Sequence, residues 1–493
     1  MSQRKTPTLD AKLGASQAVL FAKRIAAQQR KIAARQVACT CLLFWALAHI
    51  CVANATSVTQ QVVEHAGTIK RYMFSADTFP AVEAEFEKMG VVFSDAPSRP
   101  VEGAMARATG IGPSGFSTPY IIDHVRGRFH VYAERRRPQH PIGPLPYISQ
   151  EVVFDSTDPG VSPVGTLSYP ASGGPFPAVV LVAGTGPHTR DAGMSLHKTL
   201  LVLADYLTRQ GFAVLRYDKR GVGLTGGALH PGSTTDQYAA DALAAVRYLR
   251  LQPHIRPDRV GIVGHSEGGI IAAMAAAQAP EVVSFIVMLA GPGLPGIEIK
   301  SLQDAAARRA DGMPESLVLL NLRQERELFE IAASDADHRD ALAAMATATE
   351  KLPSDVKDKL DIPVDGIPVE AYEELLSPWF RRFLALDPRA YLRHVKCPVL
   401  ALVGEKDLQV PPAENLAEIA GTLERSGNKH VTVRSLPGIN HNLQSARTGK
   451  ASEYFLIEET ISPSVLDLTS TWMKHVVQRG GEAIAGAADV EVE

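Results

Sequence analysis

The segment that most narrows the folds open to this chain runs from Val260 to Ala277. The apolar run Val260-Gly261-Ile262-Val263 reads as a strand, Gly264-His265-Ser266-Glu267-Gly268-Gly269 as a sharp turn, and the small-residue run from Ile270 to Ala277 as a helix. A hydroxyl-bearing residue on a strained turn projects only where the neighbouring backbone carries no side chains, which is what the glycines provide. The bare string G-x-S-x-G arises by chance in roughly one chain in six of this length. Its weight therefore comes from the strand before it and the helix after it, the setting of a nucleophile elbow.

The surrounding sequence repeats the same alternation. Val152-Val153-Phe154 and Val164 to Tyr169 read as paired strands, and Pro177 to Ala183 as a buried parallel strand. Ser195 to Gln210 carries Leu196, Leu200, Leu203 and Leu207 at helical spacing and stops at Gly211. Ala213 to Tyr217 follows as a strand, and Thr234 to Leu251 as a helix with Ala240, Leu243, Val246 and Leu249 on one face. Further strands follow at Val283 to Leu289, Pro398 to Val403 and Val431 to Leu436, and Pro463 to Arg479 closes as an amphipathic helix. Strands alternating with helices predict an α/β fold, a mostly parallel sheet with helices on both faces. Between Gly291 and His394 the alternation fails. That charged segment, with helices expected at Leu317 to Ala333, Asp340 to Leu352 and Glu370 to Leu386, predicts a helical cap insertion on top of the sheet.

The resulting domain plan has a leader over 1–55 and an N-terminal region of unknown role over 56–146. The catalytic unit comprises 147–290 and 396–480, the helical cap 291–395, and a flexible tail 481–493. In the N-terminal region the pattern is irregular, with one strand expected at Arg128 to Ala133. The leader is rich in Lys and Arg up to Gln36 and continues into the apolar stretch Val37 to Val52. This has the layout of a secretory signal, with cleavage expected after Ala55 in Ala53-Asn54-Ala55 and the mature chain exported to the periplasm or secreted. The rival is a membrane anchor, but the stretch is shorter than the roughly 20 apolar residues a span requires and contains His49. No stable membrane insertion is expected after cleavage. Cys39, Cys41 and Cys51 lie in the leader, which leaves Cys397 alone in the mature chain as a small core residue at the start of a strand. A net charge of -3 gives no basic field for nucleic acid, and the one tight basic cluster, Arg135-Arg136-Arg137, reads as a solvated linker.

A serine hydroxyl is a weak nucleophile near neutral pH and needs an imidazole to take its proton and a carboxylate to orient that imidazole. Both belong at later strand ends. Asp407 falls in the loop Gly404-Glu405-Lys406-Asp407-Leu408-Gln409 after one strand, with Glu405 as its alternative. His441 falls in Pro437-Gly438-Ile439-Asn440-His441 after the next, in preference to His430 and His265. From about Tyr147 onward the chain resembles the alpha/beta-hydrolase superfamily, in its bacterial esterase and prolyl-oligopeptidase-like branch. The resemblance rests on the order Ser266, Asp407, His441, on Ala183-Gly184-Thr185-Gly186-Pro187, and on the D-x-R-G-x-G loop within Arg216 to Gly223. It implies an oxyanion hole made by the backbone N–H groups of Thr185 and Glu267, where losing one donor typically costs about 2.7–4 kcal/mol. A histidine-glycine oxyanion motif is absent, because Ala183 stands where many esterases have His.

Asp218 and Arg220 read as a buried ion pair that shapes their loop, and His188, Arg190 and Asp191 face the same mouth, either binding substrate or holding the loop. No cluster has metal-ligand spacing and Gly221-x-Gly223 lacks a dinucleotide setting, so no cofactor and no metal are expected. The expected function is hydrolysis of a small-molecule carboxylic ester through an acyl-enzyme on Ser266, with His441 as base and Asp407 as orienting acid. The alternatives are a serine peptidase acting on short peptides, an acyl thioesterase, and a binding protein with a vestigial triad.

Overall fold

The computed structural model of the chain describes residues 63–479 apart from 66–67, 95–96, 113–116, 194 and 364–365. The apolar stretch Val37 to Val52, the expected cleavage site at Ala55, the three leader cysteines and the tail from Gly480 lie outside the described residues. No described helix is long and apolar enough to cross a membrane.

The first surprise lies in 56–146, which holds a sheet of its own. It comprises β1 (Val63–His65), β2 (Thr68–Ala76), helix α1 (Phe79–Lys88), β3 (Val92–Phe93), β4 (Met105–Ile111), β5 (Ser117–Val125) and β6 (Arg128–Arg136). The strands are antiparallel in the order β1-β2-β6-β5-β4-β3. The helix begins where Thr78 accepts a hydrogen bond from the Ala81 amide, and it buries Phe79, Val82 and Phe86. Phe86 meets Tyr120 and Phe93 edge-on at 5.0 and 4.8 Å, which are favourable aromatic separations. Of these strands the sequence reading anticipated only Arg128 to Ala133, because Pro and Gly from Ser94 to Pro119 mask a short-strand meander whose pairing is set by partners across hairpins.

The solvated reading of Arg135-Arg136-Arg137 is overturned. Arg135 and Arg137 are buried, at 3% and 0% exposure, and only Arg136 is exposed. Arg135 donates to Thr118 Oγ1. Arg137 donates to the carbonyls of Ile457 at 3.1 Å and Phe455 at 3.0 Å, and its guanidinium lies over the Phe455 ring. It thereby fastens the N-terminal sheet to the segment before the final helix. A planar five-donor group can satisfy several carbonyls at once in a dry seam, which a linker reading cannot foresee.

The larger sheet begins with β7 (Tyr147–Val153), β8 (Val164–Pro170) and β9 (Phe176–Val182), followed by α2 (Thr199–Arg209) and β10 (Ala213–Tyr217). Next come α3 (Thr235–Arg250), β11 (Ile255–His265), α4 (Glu267–Gln278) and β12 (Ile286–Leu289). The cap supplies α5 (Gly296–Ala310), α6 (Glu315–Ala333), α7 (His338–Glu350), α8 (Ser354–Lys359), α9 (Val369–Leu375), α10 (Pro378–Ala385) and α11 (Arg389–Leu392). The chain then returns through β13 (Val399–Gly404), α12 (Pro412–Arg425), β14 (Val431–Leu436), α13 (Ala451–Tyr454) and α14 (Pro463–Arg479).

Strand order is β14-β13-β12-β11-β9-β10-β8-β7, parallel from β14 through β10 and antiparallel at β8 and β7. One face buries α3, α4 and α12 together with cap residues, and the other buries α2 and α14. This is the expected α/β fold, with its sheet covered on both sides. Helix α2 starts four residues later than its leucine spacing suggested, because Ser195 and Leu196 hold φ of 55° and 66° outside the helical region. The helix expected over Glu370 to Leu386 is two helices, broken where Ser377 caps a new turn ahead of Pro378.

Replacing Arg137 by Ala empties a fully buried volume and removes the donor to four backbone carbonyls, of Arg136, Ser195, Phe455 and Ile457. We expect Arg137→Ala to destabilise the protein by about 2–4 kcal/mol. A urea midpoint equal to wild type would show that the seam does not depend on this residue.

Candidate active site

Ser266 is the residue between β11 and α4, and its backbone lies at φ 55°, ψ -123°, a costly conformation for a residue with a Cβ. The fold holds it there by close approach. A Cβ on Gly264 would stand 1.9 Å from the Gly268 carbonyl oxygen, and one on Gly268 would stand 2.4 Å from that of Val182. The Ser266 amide donates to Leu289 O at 2.8 Å, and the Gly269 amide donates to Ser266 O at 2.8 Å. The glycines thus serve backbone proximity as well as projection of the serine.

The loops after β13 and β14 bring the two expected partners together. His441 Nε2 is 3.1 Å from Ser266 Oγ, and His441 Nδ1 is 2.8 Å from Asp407 Oδ2. Asp407 Oδ1 accepts from the Gln409 and Val410 amides, each at 2.8 Å, so one oxygen anchors the carboxylate and the other faces the imidazole. With Nδ1–H donating to the carboxylate, Nε2 is left as an acceptor for the serine proton. Glu405 does not reach this site; it is exposed and accepts from the Gly438 amide at 3.2 Å. His265 both packs and lines the cavity, donating from Nε2 to His441 O at 2.8 Å with its ring 5.0 Å from that of His441.

Gly184 sits directly against the nucleophile, since a Cβ there would come within 2.9 Å of Ser266 Cβ. Thr185 and Glu267, the residues whose amides are expected to form the oxyanion hole, line the same cavity. His188 accounts for the loop's shape, its Nε2 lying 2.7 Å from Thr185 O.

The Asp218–Arg220 ion pair is corrected. Asp218 pairs instead with Arg190, which reaches it from Nε and Nη2, the latter at 2.7 Å. Arg220 pairs with Asp241, which it contacts at 2.6 and 2.8 Å, and with Asp158. Side chains two apart in this loop point to different elements, so sequence adjacency misassigned the partners. Asp191 pairs with Arg216, so Arg190 and Asp191 hold the loop, while His188 lines the cavity.

The sequence reading missed a cluster behind the nucleophile. The Glu267 side chain is buried and accepts from Trp379 Nε1 at 2.7 Å and Thr235 Oγ1 at 2.8 Å, with Lys219 Nζ 3.5 Å away. Lys219 also donates to Gly184 O at 2.8 Å and lies over the Tyr238 ring. Burial pushes the Glu267 carboxyl upward, but Lys219, Trp379 and Thr235 together hold it below the usual range. Burial lowers the Lys219 ammonium against the pull of Glu267. We take both groups as ionised. The legible signal was a Glu next to the nucleophile and a Lys inside the D-x-R-G-x-G loop; the Trp, on α10 in the cap, had none.

The cavity over Ser266 holds about 870 Å³ including its mouth. One wall is apolar and aromatic, from Ile299, Val410 and the α10 residues Trp379, Phe380 and Phe383. Of the described residues lining it, Glu267 is engaged by Lys219 and Lys300 is paired with Asp304. Among the described residues no group of three or more His, Cys, Asp or Glu is placed to hold a metal ion.

Burial, then the nearby His441, lowers the His265 pKa to about 4, and burial lowers that of His197 to about 3. In the unfolded chain both imidazoles ionise near 6.5. Their neutral burial therefore supports the fold fully above about pH 6.5 and loses that support as pH falls towards 4, because the unfolded state then binds more protons. Urea midpoints should drop between pH 7.5 and pH 5, with a slope of up to about 1.4 kcal/mol per pH unit for each histidine. His265→Gln should flatten that slope; an unchanged slope would mean His265 is not held neutral.

Residues 177–360 match the family described as Serine aminopeptidase, S33. The chain is 25% identical over 318 residues to the esterase EstD of Thermotoga maritima, a stretch covering 63% of this chain and 65% of that esterase's own length. Among solved structures, the esterase Est1E of Butyrivibrio proteoclasticus is 16% identical with a TM-score of 0.38, over 66% of this chain and 99% of its own. An esterase of Pyrococcus furiosus is 16% identical with a TM-score of 0.41, over 69% and 96% respectively.

Proposed function

We propose that the chain is a member of the alpha/beta-hydrolase superfamily, a reading supported by the S33 match over residues 177–360 and the likeness to EstD, and that it hydrolyses uncharged small-molecule carboxylic esters through an acyl-enzyme on Ser266. The carrying observation is the unbroken contact from Asp407 through His441 to Ser266 Oγ at the floor of a cavity that Thr185, Glu267 and Trp379 also line.

Ser266 Oγ attacks the ester carbonyl carbon while its proton passes to His441 Nε2, and the negative charge gathers on the former carbonyl oxygen. The amides of Thr185 and Glu267 are the proposed donors to that oxygen. Collapse breaks the bond to the alkoxy oxygen, which leaves as an alcohol with the proton from His441. Water then gives a proton to His441 and attacks the acyl carbon, and release of the acid returns the proton to Ser266. Asp407 keeps the imidazole in its tautomer and stabilises its charged form.

The cavity's charge favours esters over short peptides. An aminopeptidase or dipeptidyl peptidase must greet a free ammonium with a carboxylate, yet the one carboxylate among the described lining residues, Glu267, is already engaged by Lys219, Trp379 and Thr235. Thr199 Oγ1 and Asn442 Nδ2, on lining residues, are buried without a protein partner, which suits a neutral oxygen-bearing ligand.

Ser266→Ala should abolish fluorophosphonate labelling and lower kcat at least about 10⁴-fold, and Asp407→Asn should lower it by about 10³- to 10⁴-fold. Rates on short-chain p-nitrophenyl esters should exceed those on aminoacyl and dipeptidyl anilides. A preference for anilides would reverse the substrate assignment, and an unlabelled, folded wild-type protein would remove it.

The proposal extends to export, on the strength of the basic leader and apolar stretch. N-terminal sequencing of the protein from its natural host should begin near Thr56; a chain beginning at Met1 or Ser2 would exclude cleavage.

A further inference from the structure

The buried cluster behind the nucleophile has a stoichiometry that a packing role does not require. Glu267 is the first residue of α4, and its backbone N–H is one of the two proposed oxyanion donors. A carboxylate there suits the helix dipole, but it also sets a negative charge beside the place where the reaction builds another. Left uncompensated, it would oppose the oxyanion it is positioned to serve.

Three elements converge on it. Lys219, from the loop after β10, forms an ion pair with Oε2 at 3.5 Å, and it donates a hydrogen bond of 2.8 Å to Gly184 O, on the residue just before the other proposed donor, Thr185. Thr235, the first residue of α3, and Trp379, from α10 of the cap, both donate to Oε1. Trp379 is itself fixed by stacking on Phe383, with ring centroids 5.1 Å apart at 20°. The carboxylate is thus tied to the Gly184-Thr185 loop through Lys219, to α3 through Thr235 and to the cap through Trp379.

We propose that Lys219, Glu267 and Trp379 form a positioning relay for the oxyanion hole. Lys219 neutralises the carboxylate and sets the Gly184-Thr185 loop relative to α4, while the Trp379 indole N–H couples the seating of the cap to the Glu267 amide. The three side chains bond to one another and to the Gly184 loop and α3, whereas Ser266 Oγ is met by His441. The inference rests on the esterase reading, and it assigns the cap a share in turnover beyond shaping the entrance.

The test uses the full-length protein on p-nitrophenyl butyrate, with Ser266→Ala as the control. Ser266-dependent turnover by wild type upholds the esterase reading whatever becomes of the relay. Trp379→Phe keeps the ring and removes the N–H; it should lower kcat about five- to tenfold with KM within about twofold. Affinity for n-butylboronic acid, which forms a tetrahedral anion on the serine, should fall in proportion to kcat. Lys219→Met should lower kcat at least about 100-fold. The double variant Lys219→Met with Glu267→Gln, which removes both charges, should recover at least about tenfold of that loss.

All variants are compared below the onset of their thermal unfolding, so that recovery of kcat and of boronate affinity reports charge compensation rather than folding. A Trp379→Phe protein with wild-type kcat, or a double variant no faster than Lys219→Met alone, would overturn the relay. If Lys219→Met does not fold, Trp379→Phe decides alone, with boronate affinity as the discriminating measurement.

Discussion

Everything at this site depends on how closely α4 is allowed to approach the sheet. A single methyl group on Gly264 or Gly268 would collide with backbone oxygen at 1.9 or 2.4 Å, and one on Gly269 would meet Gly291 Cα at 2.9 Å. These are contacts between main chains, which cannot be relieved by rotating a side chain. With the glycines in place, the Ser266 amide reaches across to Leu289 and the serine backbone is held at positive φ although nothing in its own chemistry favours it. The strain is local, and the restraint comes from three neighbouring strands and a helix packed without intervening side chains.

That restraint explains how much was legible. Ser266, Asp407 and His441 each follow a strand whose apolar run is visible in sequence, and parallel strands deliver their C-terminal loops to one edge. Order along the chain therefore carries over into proximity in space. Asp407 rather than Glu405 meets His441, for a reason the sequence hinted at only through its turn: the following amides of Gln409 and Val410 close on one carboxylate oxygen and leave the other for His441. Glu405, two residues earlier, faces solvent.

What stayed hidden was set by long side chains and by short strands. Arg190, Arg220 and Arg137 each reach a partner on another element, 28, 21 and more than 300 residues away in sequence. Spacing rules cannot choose among the carboxylates and carbonyls within such a reach. Trp379 is a similar case. It lies 112 residues from Glu267, in a cap whose helices have apolar positions on several faces, so helical period alone does not say which residue points down to the sheet. The N-terminal sheet escaped because Met105–Ile111 alternates in burial but turns its small residues Ala106, Ala108 and Gly110 inward and Met105 and Ile111 outward, and because the sheet's core is completed by the aromatic cluster around Phe86 and by Phe455 from the segment before the final helix.

The buried charges share a pattern that bears on chemistry as well as stability. Arg190 with Asp218, Arg220 with Asp241, and Lys219 with Glu267 all pair within or around the loop after β10. Buried pairs of this kind add little net stability over apolar replacements, but removing one partner is severe because the other is left charged in a poor solvent. Their consistent effect here is geometric: two loops and two helices are fixed around Ser266 by directional contacts. For the proposed ester hydrolysis, backbone dipoles preformed at the N-terminus of α4 would need no reorganisation as charge develops. Compensated charges behind the wall and an aromatic surface in front of it are two sides of one requirement, since any unpaired ion nearer the oxyanion would be felt there at full strength.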